Sequence, residues 1–178
     1  MNKDLIVKAV MADLDDIMAL KEATSKLLRQ RGIDQWQHEN PSLAHFVEDI
    51  EKGELFLMSI EGRLAAMAAI KSGNEPTYDI IYGGPWGGKP PYVTIHRLAV
   101  EASYLGLGLA EAMLRYAEAL ARQQDVRFIR IDTHRDNQPA QRLFERMGYV
   151  KRGWIYLGPQ PDDRHRLAYD KYIEGSAS

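Results

Sequence analysis

Two glycines, one residue apart, stand in Leu105-Gly106-Leu107-Gly108-Leu109-Ala110, where an apolar strand ending in Leu98-Ala99-Val100 turns into an amphipathic helix. A helix start carries unpaired backbone N–H groups and a partial positive charge. Glycines there remove side chains that would block an approaching phosphate. The segment therefore has the makings of a pyrophosphate cradle. Proton-transfer groups lie on the strands around it. His96 precedes the cradle, and Asp132 and His134 close the strand Ile129-Arg130-Ile131-Asp132-Thr133-His134. A histidine titrates near neutrality and can accept a proton. Strand alternation puts His96 on the face of Leu98 and Val100, with Arg97 opposite. Each of these groups also has a structural reading: His96 as a core or interface histidine, and Arg130, Asp132 and His134 as one strand face holding an ion pair. His96, Asp132 and His134 lack metal-ligand spacing, so no metal is expected.

Two other phosphate cradles fit less well. A dinucleotide fingerprint would need glycine at Glu111 and repeated strand–helix–strand units, and the chain has neither. Gly83-Gly84-Pro85-Trp86-Gly87-Gly88-Lys89-Pro90 approaches a P-loop, but Pro90 stands where Ser or Thr must bind Mg²⁺ and enter a helix.

The elements that must position these residues follow from periodicity and turn chemistry. Residues 5–10 form a short apolar strand. Acids at Asp13, Asp15 and Asp16 open a first helix that Gly32 closes. Asn40 as cap and Pro41 at the first helical position begin a second, with Leu43, Phe46, Val47 and Ile50 as its apolar face. Strands 54–60 and 64–70 flank Glu61-Gly62-Arg63 as a hairpin. The Gly- and Pro-rich residues 72–91 read as a loop, and its length favours a role in binding or in contact with a second copy. There follow a strand at 92–100, a helix at 107–124, a strand at 126–133, a helix at 137–147 and strands at 149–157 and 166–173. Glu111–Arg115 and Glu118–Arg122 are expected as ion pairs on the helix's polar face. The order β-α-α-β-β-β-α-β-α-β-β predicts an α/β fold: a mixed sheet with helices on both faces.

At 178 residues, a single domain is expected, with 174–178 as a frayed tail. The net charge of −2 gives no basic field for nucleic acid. The absence of cysteine excludes disulfides, thiolate metal sites and a cysteine nucleophile. No leader-like or membrane-spanning apolar run occurs, so a cytoplasmic protein without membrane partners is expected.

The strand–turn–helix at 92–124 resembles motif A of the Gcn5-related N-acetyltransferase (GNAT) family. Its turn, Q/R-x-x-G-x-G/A, is matched here by Ser103-x-x-Gly106-x-Gly108. Asn137-x-x-Ala140-x-x-Leu143-Phe144-x-x-x-Gly148-Tyr149 resembles motif B of the same family, in the right order and on the right elements. The resemblance covers residues 54–157 best. It implies a partly splayed sheet, acetyl-CoA as acetyl donor, and direct transfer to a primary amine of a small molecule, peptide or protein. By that likeness the backbone of Leu98, Ala99 and Val100 would face the pantetheine arm. The backbone of Leu105, Gly106, Leu107, Gly108, Leu109 and Ala110 would take the pyrophosphate. Asn137 would bind the cofactor or cap its helix, and Phe144 would pack along the arm.

His96, Asp132 and His134 are the candidate proton acceptors. Trp36 and His38 would line one wall of the acceptor pocket, and the loop with Tyr78, Tyr82 and Trp86 another. The chain departs from the family at two positions. Ser103 replaces the usual side-chain donor to the phosphates. Phe144 replaces the tyrosine that commonly serves as general acid, and phenylalanine cannot give a proton. Tyr149 and Tyr156 are the nearby hydroxyls, with Tyr149 at a core position. Phe144 leaves a CoA-binding module without transferase activity as one alternative, and a roomier pocket for a larger acyl-CoA as another. A homodimer is a further expectation.

Overall fold

The structure, a computed structural model, describes residues 6–158 and 164–175. Its elements are β1 (Ile6–Lys8), α1 (Leu14–Gln30), α2 (Leu43–Glu51), β2 (Leu55–Ile60), β3 (Arg63–Ser72), β4 (Val93–Val100), α3 (Leu109–Gln123), β5 (Phe128–His134), α4 (Gln138–Arg146), β6 (Val150–Tyr156) and β7 (His165–Tyr172). This is the expected order. Strand neighbours run β1-β2-β3-β4-β5-β7-β6 in a mixed, mostly antiparallel sheet, so the α/β fold class is borne out. The chain divides into two compact units, Met1–Ile70 with His96–Tyr116 and Lys71–Ile95 with Ala117–Ser178. Of the expected tail, 176–178 lie outside the described residues; the Glu174 carbonyl accepts from Arg122 Nε at 3.3 Å.

In the first unit, β2 and β3 pair through Ile60↔Arg63 around a two-residue turn, with φ of 50° at Glu61 and 76° at Gly62. These values suit the primed turns that match strand twist. The core gathers Ile17 and Leu20 of α1, Phe46 and Ile50 of α2, and Leu55, Leu57, Met67 and Ala99 of the strands. Two details of α2 differ from expectation. It starts at Leu43, because Ser42 caps it and takes the His45 ring as partner, with Ser42 N to His45 Nδ1 at 3.0 Å. That reciprocal box satisfies the terminal groups and leaves Asn40-Pro41 outside the helix. Leu43 itself is exposed. The apolar face of α2 instead carries a fully buried charge, Asp49.

In the second unit, β4 and β5 pair in parallel over three positions, from Val93↔Ile129 to Ile95↔Ile131, and the ladder ends there. β5 then pairs antiparallel with β7 along its whole length, and β7 with β6. The Gly- and Pro-rich stretch is a loop, as expected, largely exposed but anchored at several points. Tyr78 is fully buried beside Tyr92, Ile155 and Ala168, with Trp86 and Phe128 against them. Trp86 Nε1 donates to the Tyr78 carbonyl at 3.0 Å, and Gly87 N to Asp170 Oδ2 at 2.6 Å. The Arg130 guanidinium lies 4.3 Å from the Trp86 centroid and 3.9 Å from that of Tyr92, and donates to the Gly88 carbonyl. A Cβ on Gly88 would come within 2.0 Å of the Phe128 ring, so glycine is required there. Tyr82 forms a two-way backbone bridge with Trp154 of β6, each hydrogen bond 2.9 Å long. Glu118, expected on a solvated helix face, is buried and accepts from Lys171 Nζ at 2.7 Å. Its pairing with Arg122 persists at 3.8 Å.

Candidate active site

The candidate cradle belongs to the first unit and begins at the end of β4. A short 3-10 turn, Ala102–Tyr104, follows, its start capped by the Glu101 side chain accepting from Ser103 N at 3.0 Å. The Ser103 hydroxyl also donates to that carboxylate. Gly106 and Gly108 both adopt left-handed backbone, with φ of 83° and 82°. Because Gly108 cannot be helical in that conformation, α3 begins at Leu109, two residues later than periodicity predicts. Its first i→i−4 bond runs from Ala112 N to the Gly108 carbonyl, so the N–H groups of Leu109 and Ala110 precede the helical ladder. A Cβ on Gly106 or Gly108 would meet nothing within 4 Å, and Leu105 and Leu107 are exposed. The turn is thus exposed and open at the positive end of a 15-residue helix.

Upstream of it, β4 is kinked. Arg97 has a φ of 54°, so the period-2 alternation expected for His96 and Arg97 does not run through this strand. The guanidinium makes a bidentate pair with Asp49, Nε to Oδ2 at 2.6 Å and Nη2 to Oδ1 at 3.0 Å. It also lies over the Phe46 ring at 5.9 Å. His96 is half-buried beside this kink. The pair escaped sequence reasoning because its members lie 48 positions apart. The one signal was an acid between Phe46 and Ile50 on an apolar helix face.

The segment between α1 and α2 has left-handed backbone at Trp36, His38 and Glu39, with φ of 62°, 53° and 57°. Trp36 is half-buried against the first unit's core. His38 is exposed, with Nε2 3.3 Å from Asp34. Arg29, Asp34, Gln37 and His38 help line an open depression of about 450 Å³. Trp36 does not line it.

In the second unit, Asp132 is the first β5 residue beyond the parallel ladder. Its Oδ1 accepts from the Tyr78 hydroxyl at 2.7 Å. Burial first, and the Asp132 charge second, push the Tyr78 phenol well above the usual tyrosine range. His134 is fully buried, and its Nδ1 accepts from Asp136 N at 3.1 Å. In the neutral ring this places the proton on Nε2. The His134 carbonyl accepts from Asn137 N, so this residue shapes the turn into α4. Asn137 caps α4, its Oδ1 accepting from Ala140 N at 3.3 Å. Asn137→Ala is expected to lose about 1 kcal/mol in denaturant unfolding, and Asn137→Ser to recover most of it. Equal stability of the alanine variant would remove the capping role.

Phe144 is buried, with ring centroids of Tyr149 and Tyr169 at 6.1 and 5.5 Å. Tyr149 is a core residue: its hydroxyl is buried, and burial holds the phenol far above its ordinary range. Tyr156 is exposed and packs edge-on to Tyr82 and His165. Trp86 commits its N–H to Tyr78 and its ring to Arg130. Among the described residues, no group of three or more His, Asp or Glu side chains could hold a metal ion, and no helix is long and apolar enough to cross a membrane.

Residues 20–149 match the family model described as Acetyltransferase (GNAT) family. A crystal structure of a GNAT-family acetyltransferase from Streptococcus agalactiae 2603 is similar, with a TM-score of 0.83 at 34% identity, covering 96% of this chain and 95% of that one. A putative acetyltransferase from Staphylococcus aureus Mu50 superposes with a TM-score of 0.72 at 26% identity, covering 96% and 99% of the two chains. The uncharacterized N-acetyltransferase YesJ of Bacillus subtilis is 29% identical over 143 residues, which span 79% of this chain and 78% of that protein. The glycine turn, the short parallel ladder before it and the capped helix α4 all fall inside the matched residues: the chain belongs to the GNAT acetyltransferase family.

Proposed function

We propose that the protein is an N-acetyltransferase that moves the acetyl group of acetyl-CoA directly to a primary amine of a small molecule, peptide or protein. The observation that carries this reading is the open turn at Gly106 and Gly108, which leads into the N-terminus of α3. Such a surface takes a pyrophosphate through backbone donors alone. That matters because the Ser103 side chain is already engaged by Glu101. The backbone of Leu105, Gly106, Leu107, Gly108, Leu109 and Ala110 forms the proposed pyrophosphate site, and that of Leu98, Ala99 and Val100 the pantetheine site. Asn137 and Phe144 of α4 complete the proposed cofactor residues. Bound acetyl-CoA supplies a thioester carbonyl to the attacking amine.

A neutral amine must attack, so the acceptor ammonium loses a proton first. Asp132 and the half-buried His96 are the proposed acceptors of that proton. His134, whose Nδ1 is held in a turn, is the weaker candidate. Phe144 cannot protonate the departing thiolate, but a thiol pKa of roughly 8.5 keeps that cost small near neutrality. Trp36, His38 and the depression beside them are the proposed acceptor side.

Release of free thiol from acetyl-CoA across a panel of amines tests the reading, and amine-dependent turnover is the expected result. The buried Phe144 favours one second reading, a CoA-binding module. Tight CoA binding with no turnover on any amine would establish it. Faster turnover with longer acyl donors would replace acetyl with a larger group. His96→Ala and Asp132→Asn, assayed across pH, separate the two bases. The variant that loses the acidic limb of kcat/KM has lost the base, and an unchanged profile returns that residue to structure.

A further inference from the structure

Tyr78 presents a chemistry that the family likeness does not account for. It is fully buried, at 0% exposure, so it cannot touch a substrate. Yet its hydroxyl donates to Asp132 Oδ1 at 2.7 Å, on the β5 residue just past the parallel ladder. The segment that delivers it is built for rigidity. Glu75 caps the 3-10 turn Pro76–Tyr78 by accepting from Thr77 N and Thr77 Oγ1. Glu75 N donates to the Tyr92 hydroxyl at 2.9 Å, and Tyr92 donates in turn to Asn74 Oδ1. The Tyr78 ring lies 5.2 Å from that of Trp86 and 6.4 Å from that of Tyr92. The Tyr78 carbonyl is fixed by the Trp86 indole N–H. A phenol held this way has one orientation available, and its raised pKa keeps it a donor throughout any practical assay range.

The geometry points to Tyr78 as a positioning residue that fixes the Asp132 carboxylate for proton acceptance from the acceptor amine. This rests on the proposal that Asp132 is the base. In the step it serves, the ammonium proton passes to Asp132, directly or through a water. The amine nitrogen then bonds to the acetyl carbon, the C–S bond breaks, CoA thiolate leaves with the electron pair, and the second N–H proton passes to that thiolate or to water. Tyr78 keeps its own proton. It holds one carboxylate oxygen in place, which spares the cost of ordering that group in each turnover.

A double-mutant cycle on the full-length enzyme tests this, with kcat and the KM for acetyl-CoA as separate readouts. Asp132→Asn is expected to lower kcat about 100-fold or more, the ordinary scale of a general base. Tyr78→Phe, which removes one oxygen and keeps the ring, is expected to lower kcat about 10-fold with KM within about twofold. In the Asp132→Asn background, Tyr78→Phe should then cause no further loss.

If Asp132→Asn leaves kcat unchanged, the base assignment fails and this inference falls with it. If Asp132→Asn is slow but Tyr78→Phe is not, or the two losses multiply, the base stands and the role of Tyr78 is overturned. Should Tyr78→Phe fail to fold, Asp132→Glu serves instead: it keeps the charge but displaces it. Full kcat in that variant would show that carboxylate placement does not matter, and would sink the proposal.

Discussion

Gly106→Glu is expected to raise the Kd for acetyl-CoA at least about 100-fold, beyond what calorimetry detects at ordinary concentrations, while unfolding stays cooperative. The new side chain has room, since no heavy atom lies within 4 Å of its Cβ. The structural cost is therefore backbone strain alone, roughly 1–2 kcal/mol for a non-glycine residue at a φ of 83°. The binding cost is larger because the carboxylate sets a negative charge against the pyrophosphate at the proposed site. Gly62 supplies the control. It lies in the same unit, has a φ of 76°, and has equally open space around its missing Cβ. Gly62→Glu should lose similar stability and keep acetyl-CoA affinity. If Gly106→Glu binds acetyl-CoA as the unmodified protein does, the cradle is not where the donor sits.

The second large effect concerns stability. Arg97→Met is expected to cost about 3–5 kcal/mol in denaturant unfolding, the usual result of depriving a buried charge of its partner. The carboxylate left behind is Asp49, whose side chain is at 0% exposure. Converting both members, as Asp49→Leu with Arg97→Met, should recover a substantial part of that loss, because neither half of the pair is then left buried without the other. Backbone conformation adds a sharper comparison. At a φ of 54°, Arg97→Gly should be less destabilising than Arg97→Ala by up to about 1 kcal/mol, the reverse of the usual order in a strand. An alanine variant as stable as the glycine variant would show that the kink is not strained.

Element order and the glycine turn were legible in the sequence because both depend on local chemistry. Glu61-Gly62-Arg63 between two apolar runs predicts a hairpin, and two glycines where a periodic segment begins predict an open turn there. Asn40-Pro41 misled because it has the composition of a helix start, and the competing Ser42–His45 box could not be ranked above it from residue types. The Arg97–Asp49 pair and the Tyr78–Asp132 contact were not legible. Their members lie 48 and 54 positions apart, and nothing local distinguishes either partner. Residues 72–91 look like free loop by composition. Yet at Gly88 the glycine serves close packing against Phe128, a contact that only the folded chain brings about.

The bridge between Tyr82 and Trp154 bears on how copies of this protein can associate. β6 is the last strand of its sheet, and such a strand normally offers a row of free amides and carbonyls to any passing chain. Here Trp154 N and O are both engaged by Tyr82, and a Cβ on Gly153 would come within 1.9 Å of the Tyr82 carbonyl. The Tyr82 bridge thus occupies the middle of that edge. A dimer that extended the sheet through the middle of β6 would first have to peel Tyr82 away.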